Sequence, residues 1–354
     1  MQRQIIPCIG LMSGTSLDGL DIALCNMGVY ADHYSFEIMD ATTVVYSDDW
    51  KQKLSSAHQL SGLELSVLHV ELGKLHGQWV NDFCVRSDYA VQFIASHGHT
   101  VFHQPEKGMT LQIGSAPHIA AACKTPVVAD FRTTDVALGG QGAPLVPIGD
   151  KLLFAQYNYC LNLGGIANIS FDDAAGKRIA FDICVCNMVM NHFAEKLGQP
   201  YDKAGMLSQS GKIQSDLLAG LNAISFFHQS PPKSLGKEFF ERELLPAIEK
   251  FTASHVDILA TLVEHIAIQL SNGMESDEKK KVFITGGGAF NDFLMERLKA
   301  HSKIQLIIPD ERTVQFKEAL IFAFLGTLRW MERVNSLASV TGASRDSIGG
   351  AIYL

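Results

Sequence analysis

The sequence predicts an α/β protein built as two lobes, and three observations carry that prediction. Short apolar, β-rich runs alternate with stretches of helical periodicity along the whole chain. Glycine-rich turns follow predicted strands in two separate halves, at 10–19 and 285–288, which fits two similar lobes facing a cleft. The chain has 354 residues, 47% of them hydrophobic, which is more core than one domain usually builds.

The elements follow in order. Residues 5–10 and 20–27 read as strands flanking a Gly/Ser/Thr turn. Over 63–87, Leu65, Leu68, Val70, Leu72, Leu75 and Val80 fall roughly on one helical face. Residues 91–98 read as a buried strand ending at Gly98, and 125–131 and 160–165 as two more. A helix is expected over 254–275, opened by a capping box in which Ser254 stands three residues before Asp257. Residues 281–300 read as strand, triple-glycine turn and helix. The first lobe is expected over 1–125, completed by 321–354, and the second over 126–320.

Composition excludes several classes. Charged residues make up 19%, which argues against disorder. The formal net charge is -8 with no long basic run, so nucleic acid is not an expected partner. Seven cysteines at irregular spacing form no paired CxxC motif and read as reduced thiols of a cytoplasmic protein. The first residues lack the apolar core of a signal peptide. No apolar run reaches the ~18 residues that a membrane span needs.

Four segments carry chemistry. In Gly10–Asp21, Gly14 and Gly19 permit tight turns. Thr15 and Ser16 place hydroxyls beside backbone N–H groups, a cradle for phosphate oxygens. Asp18 and Asp21 suit a hydrated Mg²⁺. No Gly-Lys-Ser/Thr follows, so this is not a P-loop. In Leu161–Asn168, a strand end delivers Gly164, Gly165 and Asn168 to a second phosphate-contacting turn, although such a turn also occurs with no chemical role. In Ile284–Asn291, Gly286, Gly287 and Gly288 leave backbone bare for a flat base or a ribose. The helix that follows, entered through Asn291, offers its positive end to an anion. In Asp130–Pro147, Arg132 suits a carboxylate, and Asp135 and Gln141 suit sugar hydroxyls. The rival reading pairs Arg132 with Asp130 as a loop brace.

Together these four segments resemble the anhydro-N-acetylmuramic acid kinase family. Further matching segments are Ser96-His-Gly-His-Thr, Leu111-Gln-Ile-Gly, Tyr201-Asp-Lys, Pro232-Lys-Ser, Gly236-Lys-Glu, Lys317-Glu-Ala and Val340-Thr-Gly-Ala, in the same order over about 7–353. The resemblance implies a two-lobed actin/hexokinase-like (ribonuclease H-like) fold with a central nucleotide and substrate cleft. It implies ATP and Mg²⁺ as cofactors, an amino-sugar substrate from cell-wall turnover, and a homodimer. The implied reaction phosphorylates O6 of 1,6-anhydro-N-acetylmuramic acid while water opens the anhydro bridge at C1. On this reading Asp182 is the catalytic base, and His97, Gln112, Arg132, Asp135, Gln141, Asn187 and Glu318 meet the sugar.

The chain departs from the family at named places. Where the family carries Phe-Asp-x-Gly-Pro-Gly-Asn, this sequence has Asp182 and Asn187 but Cys184-Val185-Cys186 between them. The added side chains threaten any glycine-only backbone there. His99 replaces a usual Gln, and Ala204 stands where an acidic or polar residue is common. Two rivals stay open: a kinase for another sugar on the same fold, and a nucleotide-binding homologue without turnover. His97, His99 and His103 suggest a metal, but no carboxylate or cysteine nearby completes a set.

Overall fold

The computed structural model describes residues 4–14, 16–87 and 89–354. The chain divides into two compact units. Unit 1 is Met1–Leu153 with Phe316–Leu354, and unit 2 is Phe154–Gln315.

Unit 1 holds β1 (Gln4–Ser13), β2 (Gly19–Tyr30), β3 (His33–Val45), β4 (Phe93–Gln104), β5 (Met109–Ile113), β6 (Val127–Ala129) and β12 (Ala351–Tyr353). Their order is β12-β6-β4-β1-β2-β3, with β5 on β4. Short turns join β1, β2 and β3 into an antiparallel meander. β4 and β6 lie parallel to β1, which requires crossovers, and helices Gly62–Ser87 and Ala116–Cys123 supply them. Unit 2 holds β7 (Tyr159–Leu163), β8 (Ile166–Asp172), β9 (Arg178–Val185), β10 (Lys281–Thr285) and β11 (Gln305–Ile307), in the order β11-β10-β7-β8-β9. The wiring repeats: an antiparallel meander β7-β8-β9, then β10 and β11 parallel to β7. Each unit therefore carries the ribonuclease H-like sheet, and the expected fold class holds.

Packing explains the pattern of β1. Ile6, Cys8, Ile9 and Leu11 are all buried, because both faces of the strand are covered. Gly10 sits among them for lack of room: a Cβ there would lie 1.8 Å from the backbone oxygen of Ala319. The helix Glu311–Trp330 that brings Ala319 to this strand departs from helical dihedrals at Phe316, where the chain re-enters unit 1. In unit 2 the core gathers Leu161, Ile169 and Val185 of the sheet with Leu259, Val263 and Ile266 of helix His255–Asn272. That stripe repeats at the spacing the sequence showed.

Three expectations need adjustment. β4 does not end at Gly98; it turns there at a φ of 74° and runs on to Gln104, because β5 pairs with its second half. The capping box at Ser254 is half-formed. Its Oγ accepts from the Asp257 N–H at 3.2 Å, but Asp257 Oδ1 accepts from the Lys212 N–H at 2.7 Å instead of reaching back. Residues 126–153 pack with unit 1, since β6 pairs with both β4 and β12. No helix among the described residues is long and apolar enough to cross a membrane.

Candidate functional site

In unit 2 the ends of three strands assemble the expected glycines. Gly164 and Gly165 form the β7–β8 turn, and their carbonyls accept from the N–H groups of Asn187 (3.1 Å) and Cys186 (2.8 Å) as the chain leaves β9. The Asn187 side chain donates to the Leu163 carbonyl at 2.8 Å. Gly286 follows β10 with a φ of 82°, and a Cβ there would lie 2.7 Å from the Leu163 carbonyl. That position is therefore glycine for both dihedral and contact reasons. Gly164, Gly165 and Gly287 differ: a Cβ on any of them would meet no protein atom closer than 3.4 Å. Their bare faces leave space that only the absence of a side chain keeps open.

Beside this turn lies a cavity of about 540 Å³, lined by Asn187, Gly287, Gly288, Met190, Tyr201 and Phe290 among others. Its size and mixed lining suit a small-molecule ligand. Asn291 also lines it, but its Oδ1 caps helix Asp292–His301 by accepting from the Leu294 N–H at 2.9 Å. Asp202, Lys203, Glu311 and Gln315 also line it. None of these four was singled out as a site residue in the sequence; only the segment Tyr201-Asp-Lys gave a signal.

Asp182 lies on β9 directly across from the exposed Asn168 of β8. The segment 233–235 clamps it. The Asp182 N–H donates to the Lys233 carbonyl at 3.1 Å, and the Leu235 N–H donates to Asp182 Oδ2 at 2.8 Å. Oδ1 has no hydrogen-bond partner among the described residues. Burial raises the Asp182 pKa above the usual carboxylate value, against the Leu235 bond, which lowers it.

Cys184, Val185 and Cys186 do not disturb this arrangement. β9 continues through Cys184, opposite Ala167, and Val185, opposite Ile166. None of the three has a positive φ. Their side chains are buried in the unit 2 core, where burial pushes the Cys186 thiol up to about 12. No left-handed backbone is needed at these three positions, and the thiols are packing groups.

Unit 1 gathers a different chemistry. Of the turn 14–18, Thr15 lies outside the described residues. Ser16 and Asp18 are exposed, and Gly14 would admit a Cβ with nothing closer than 3.5 Å. Gly19 serves the sheet instead: a Cβ there would lie 2.5 Å from the Val44 carbonyl. Just before the turn, buried Ser13 Oγ meets Tyr46 Oη at 2.9 Å and His99 Nδ1 at 3.2 Å, and Tyr46 Oη meets His76 Nε2 at 2.8 Å. Burial holds His99 down to about 4 and His76 to about 3, so both rings are neutral at pH 7.

Asp21, Glu318 and Arg132 interact electrostatically in this unit. Asp21 accepts from Thr43 Oγ1 at 2.6 Å, yet burial and the charge of Asp18 raise its pKa. Glu318 is raised by burial and then by Asp21, while Lys317 and Arg132 oppose the shift. Arg132 is not braced by Asp130, whose Oδ1 takes the Thr133 hydroxyl at 2.5 Å. Its Nε donates to His97 Nε2 at 3.0 Å and its Nη1 to the Gly142 carbonyl at 2.7 Å. His97 Nδ1 donates to the Gly98 carbonyl at 2.9 Å, which fixes the neutral tautomer whose Nε2 accepts from Arg132. His97 and Gln112 line a smaller recess of about 230 Å³.

The remaining two candidates fare differently from each other. Asp135 is fully buried, and its oxygens accept from Ser336, Thr341 and the Gly142 N–H, each at 2.8 Å. It braces the loop rather than presenting a free carboxylate, so the expectation of a sugar contact gives way. Gln141 is exposed, and its backbone N–H donates to the Thr341 carbonyl at 2.8 Å.

Among the described residues, no group of three or more His, Cys, Asp and Glu side chains is disposed to hold a metal directly. A Mg²⁺ that keeps most of its waters needs fewer ligands. The charge of Asp18 helps raise Asp21, and that of Asp21 helps raise Glu318, a like-charge field that a hydrated divalent cation relieves, so these carboxylates fit such an ion.

A family model described as "Anhydro-N-acetylmuramic acid kinase" matches residues 7–354. Two curated relatives carry that same name. The one from Mannheimia succiniciproducens is 35% identical over 98% of this chain and 98% of its own. The one from Vibrio cholerae is 36% identical over 98% of this chain and 97% of its own. Among solved structures, the activator of the 2-hydroxyisocaproyl-CoA dehydratase from Clostridium difficile with bound ADPNP is 13% identical, covering 92% of this chain and 97% of that one, with a TM-score of 0.42. On the family model and the full-length relatives together, the chain belongs to the anhydro-N-acetylmuramic acid kinase family.

Proposed function

We propose that this chain transfers the γ-phosphoryl group of ATP to O6 of 1,6-anhydro-N-acetylmuramic acid while water opens the anhydro bridge, giving N-acetylmuramic acid 6-phosphate in cell-wall recycling. The observation that carries the reading is the state of Asp182. One of its oxygens is fixed by the Leu235 N–H, the other is free, and its pKa is raised toward that of a working base.

The chemistry needs such a group. O6 is an ether oxygen and becomes nucleophilic only as the C1–O6 bond breaks. Water attacks C1, the C1–O bond to water forms, and Asp182 takes the proton. O6 then bonds to the γ-phosphorus as the bond to ADP breaks. Gly164, Gly165 and Gly287 leave open backbone beside the cavity for phosphate oxygens, and the cavity receives the nucleoside. In unit 1, Gly14 and Ser16 are available to phosphate, and Arg132 to the carboxylate of the sugar's lactyl group. Asp18 and Asp21 would hold a hydrated Mg²⁺, which would supply positive charge against the phosphates. Asn187 and Glu318 are offered to the sugar, with Glu318 accepting from a hydroxyl. His97 acts on the sugar through Arg132, which it orients.

The reading carries a cytoplasmic location, supported by free thiols at all seven cysteines, and a homodimer, on the resemblance alone. A coupled ADP assay with and without 1,6-anhydro-N-acetylmuramic acid, with mass spectrometry of the product, tests it. Sugar-dependent ADP and a ring-opened 6-phosphate are expected. ATP binding without turnover on this sugar sinks the reading in favour of another acceptor or a non-catalytic role.

A further inference from the structure

One part of the unit 2 cavity has a chemistry that the phosphate-facing glycines do not explain. Glu311 and Gln315 stand one turn apart at the start of helix Glu311–Trp330, and both line the cavity and are exposed. Gln315 Nε2 donates to Glu311 Oε1 at 2.8 Å. That bond fixes which way the carboxamide points, because its NH₂ end is committed to the carboxylate. Gln315 Oε1 and Glu311 Oε2 remain, two acceptors side by side. Gln315 is the only side-chain hydrogen-bond partner of Glu311 among the described residues, and Lys203 is the cation on the same cavity wall.

A carboxylate on the wall of a nucleotide pocket constrains what can lie against it. Phosphate is repelled. The adenine amino edge offers N–H donors, but ring-nitrogen acceptors flank them and would face the carboxylate's lone pairs. A vicinal diol offers two O–H donors on adjacent carbons and no fixed acceptor. An acidic side chain on ribose hydroxyls is a recurring solution in nucleotide sites for this reason. Building on the assignment of this cavity to ATP, we infer that Glu311, oriented by Gln315, is the residue that reads the 2′- and 3′-hydroxyls of the nucleotide and makes the enzyme selective for ribonucleotides.

The test compares dissociation constants of the full-length protein for ATP, 2′-deoxy-ATP and ITP, in the wild type, Glu311→Gln and Gln315→Leu. Binding is measured by calorimetry, so it does not depend on turnover. The wild type is expected to bind ATP about tenfold to a hundredfold more tightly than 2′-deoxy-ATP, the range of one hydrogen bond to a charged group. Glu311→Gln is expected to weaken ATP toward the 2′-deoxy value and to leave 2′-deoxy-ATP unchanged. Gln315→Leu is expected to narrow the gap by less. Equal losses on both nucleotides, or wild-type discrimination against ITP in place of 2′-deoxy-ATP, overturn the inference while leaving ATP use intact. Wild-type protein that binds no ATP overturns the nucleotide assignment and this inference together.

Discussion

The two units share one sheet topology and almost none of its chemistry. In unit 1 the turn after the first strand carries a hydroxyl at Ser16 and a carboxylate at Asp18, with Asp21 following on β2; in unit 2 the equivalent turn is Gly164-Gly165, with no functional side chain. The third strand of unit 1 is a plain edge, whereas the third strand of unit 2 delivers Asp182 and then Asn187. The same frame thus supports a charged turn in one place and a bare one in the other. The difference teaches that the scaffold sets where strand ends meet, and the turns decide what is bound there.

The sharpest way to break this comparison is at Asp182. Asp182→Asn keeps the Leu235 contact geometry but removes the base, and kcat is expected to fall about 10²–10⁴-fold with ATP affinity unchanged by calorimetry. Because its pKa is raised, the acid limb of kcat/KM in the wild type is expected above the ordinary aspartate value of about 3.9.

Acid separates the units next. Burial depresses His76 to about 3 and His99 to about 4 in unit 1, and His265 to about 3 in unit 2. Each is neutral in the fold and titrates near 6.5 when unfolded. The stability they support is therefore complete above pH ~6.5 and is lost as pH falls toward their folded values, by about 1.4 kcal/mol per pH unit for each histidine. Hydrogen exchange at pH 7 and pH 5.5 is expected to show unit 1 losing protection before unit 2. Equal losses would mean these histidines do not stay neutral.

Glycine substitutions then separate frame from cradle. Gly10→Ala drives a Cβ into the Ala319 carbonyl and is expected to cost about 3 kcal/mol in urea unfolding. Gly165→Ala meets nothing closer than 3.7 Å, so stability should stay within about 0.5 kcal/mol while ATP binding weakens. A Gly165→Ala protein with unaltered ATP affinity would remove that turn from the phosphate site.

Much of this was legible in the residues. Strands running into glycine turns marked β1, β7 and β10, because buried strands ending at bare turns leave a local signature. Asp182 and Asn187 came from a resemblance, across an altered stretch that the structure continues as strand through Val185 and then as the entry to helix Asn187–Glu195. Asp135 misled for a physical reason: the partners that consume its oxygens, Ser336 and Thr341, come from the far end of the chain. Glu311 and Gln315 gave no sign either. An i,i+4 Glu–Gln pair on a helix start looks like any solvated face until a cavity is seen beside it.

The most direct test of the central claim is to run the reaction in ¹⁸O-labelled water and locate the label. If water opens the bridge at C1 with Asp182 as base, the wild type gives N-acetylmuramic acid 6-phosphate carrying one ¹⁸O at C1 and none in the phosphate, and Asp182→Asn forms that labelled product about 10²–10⁴-fold more slowly. Label in the phosphate, or a phosphorylated sugar with its anhydro bridge intact, would contradict the account.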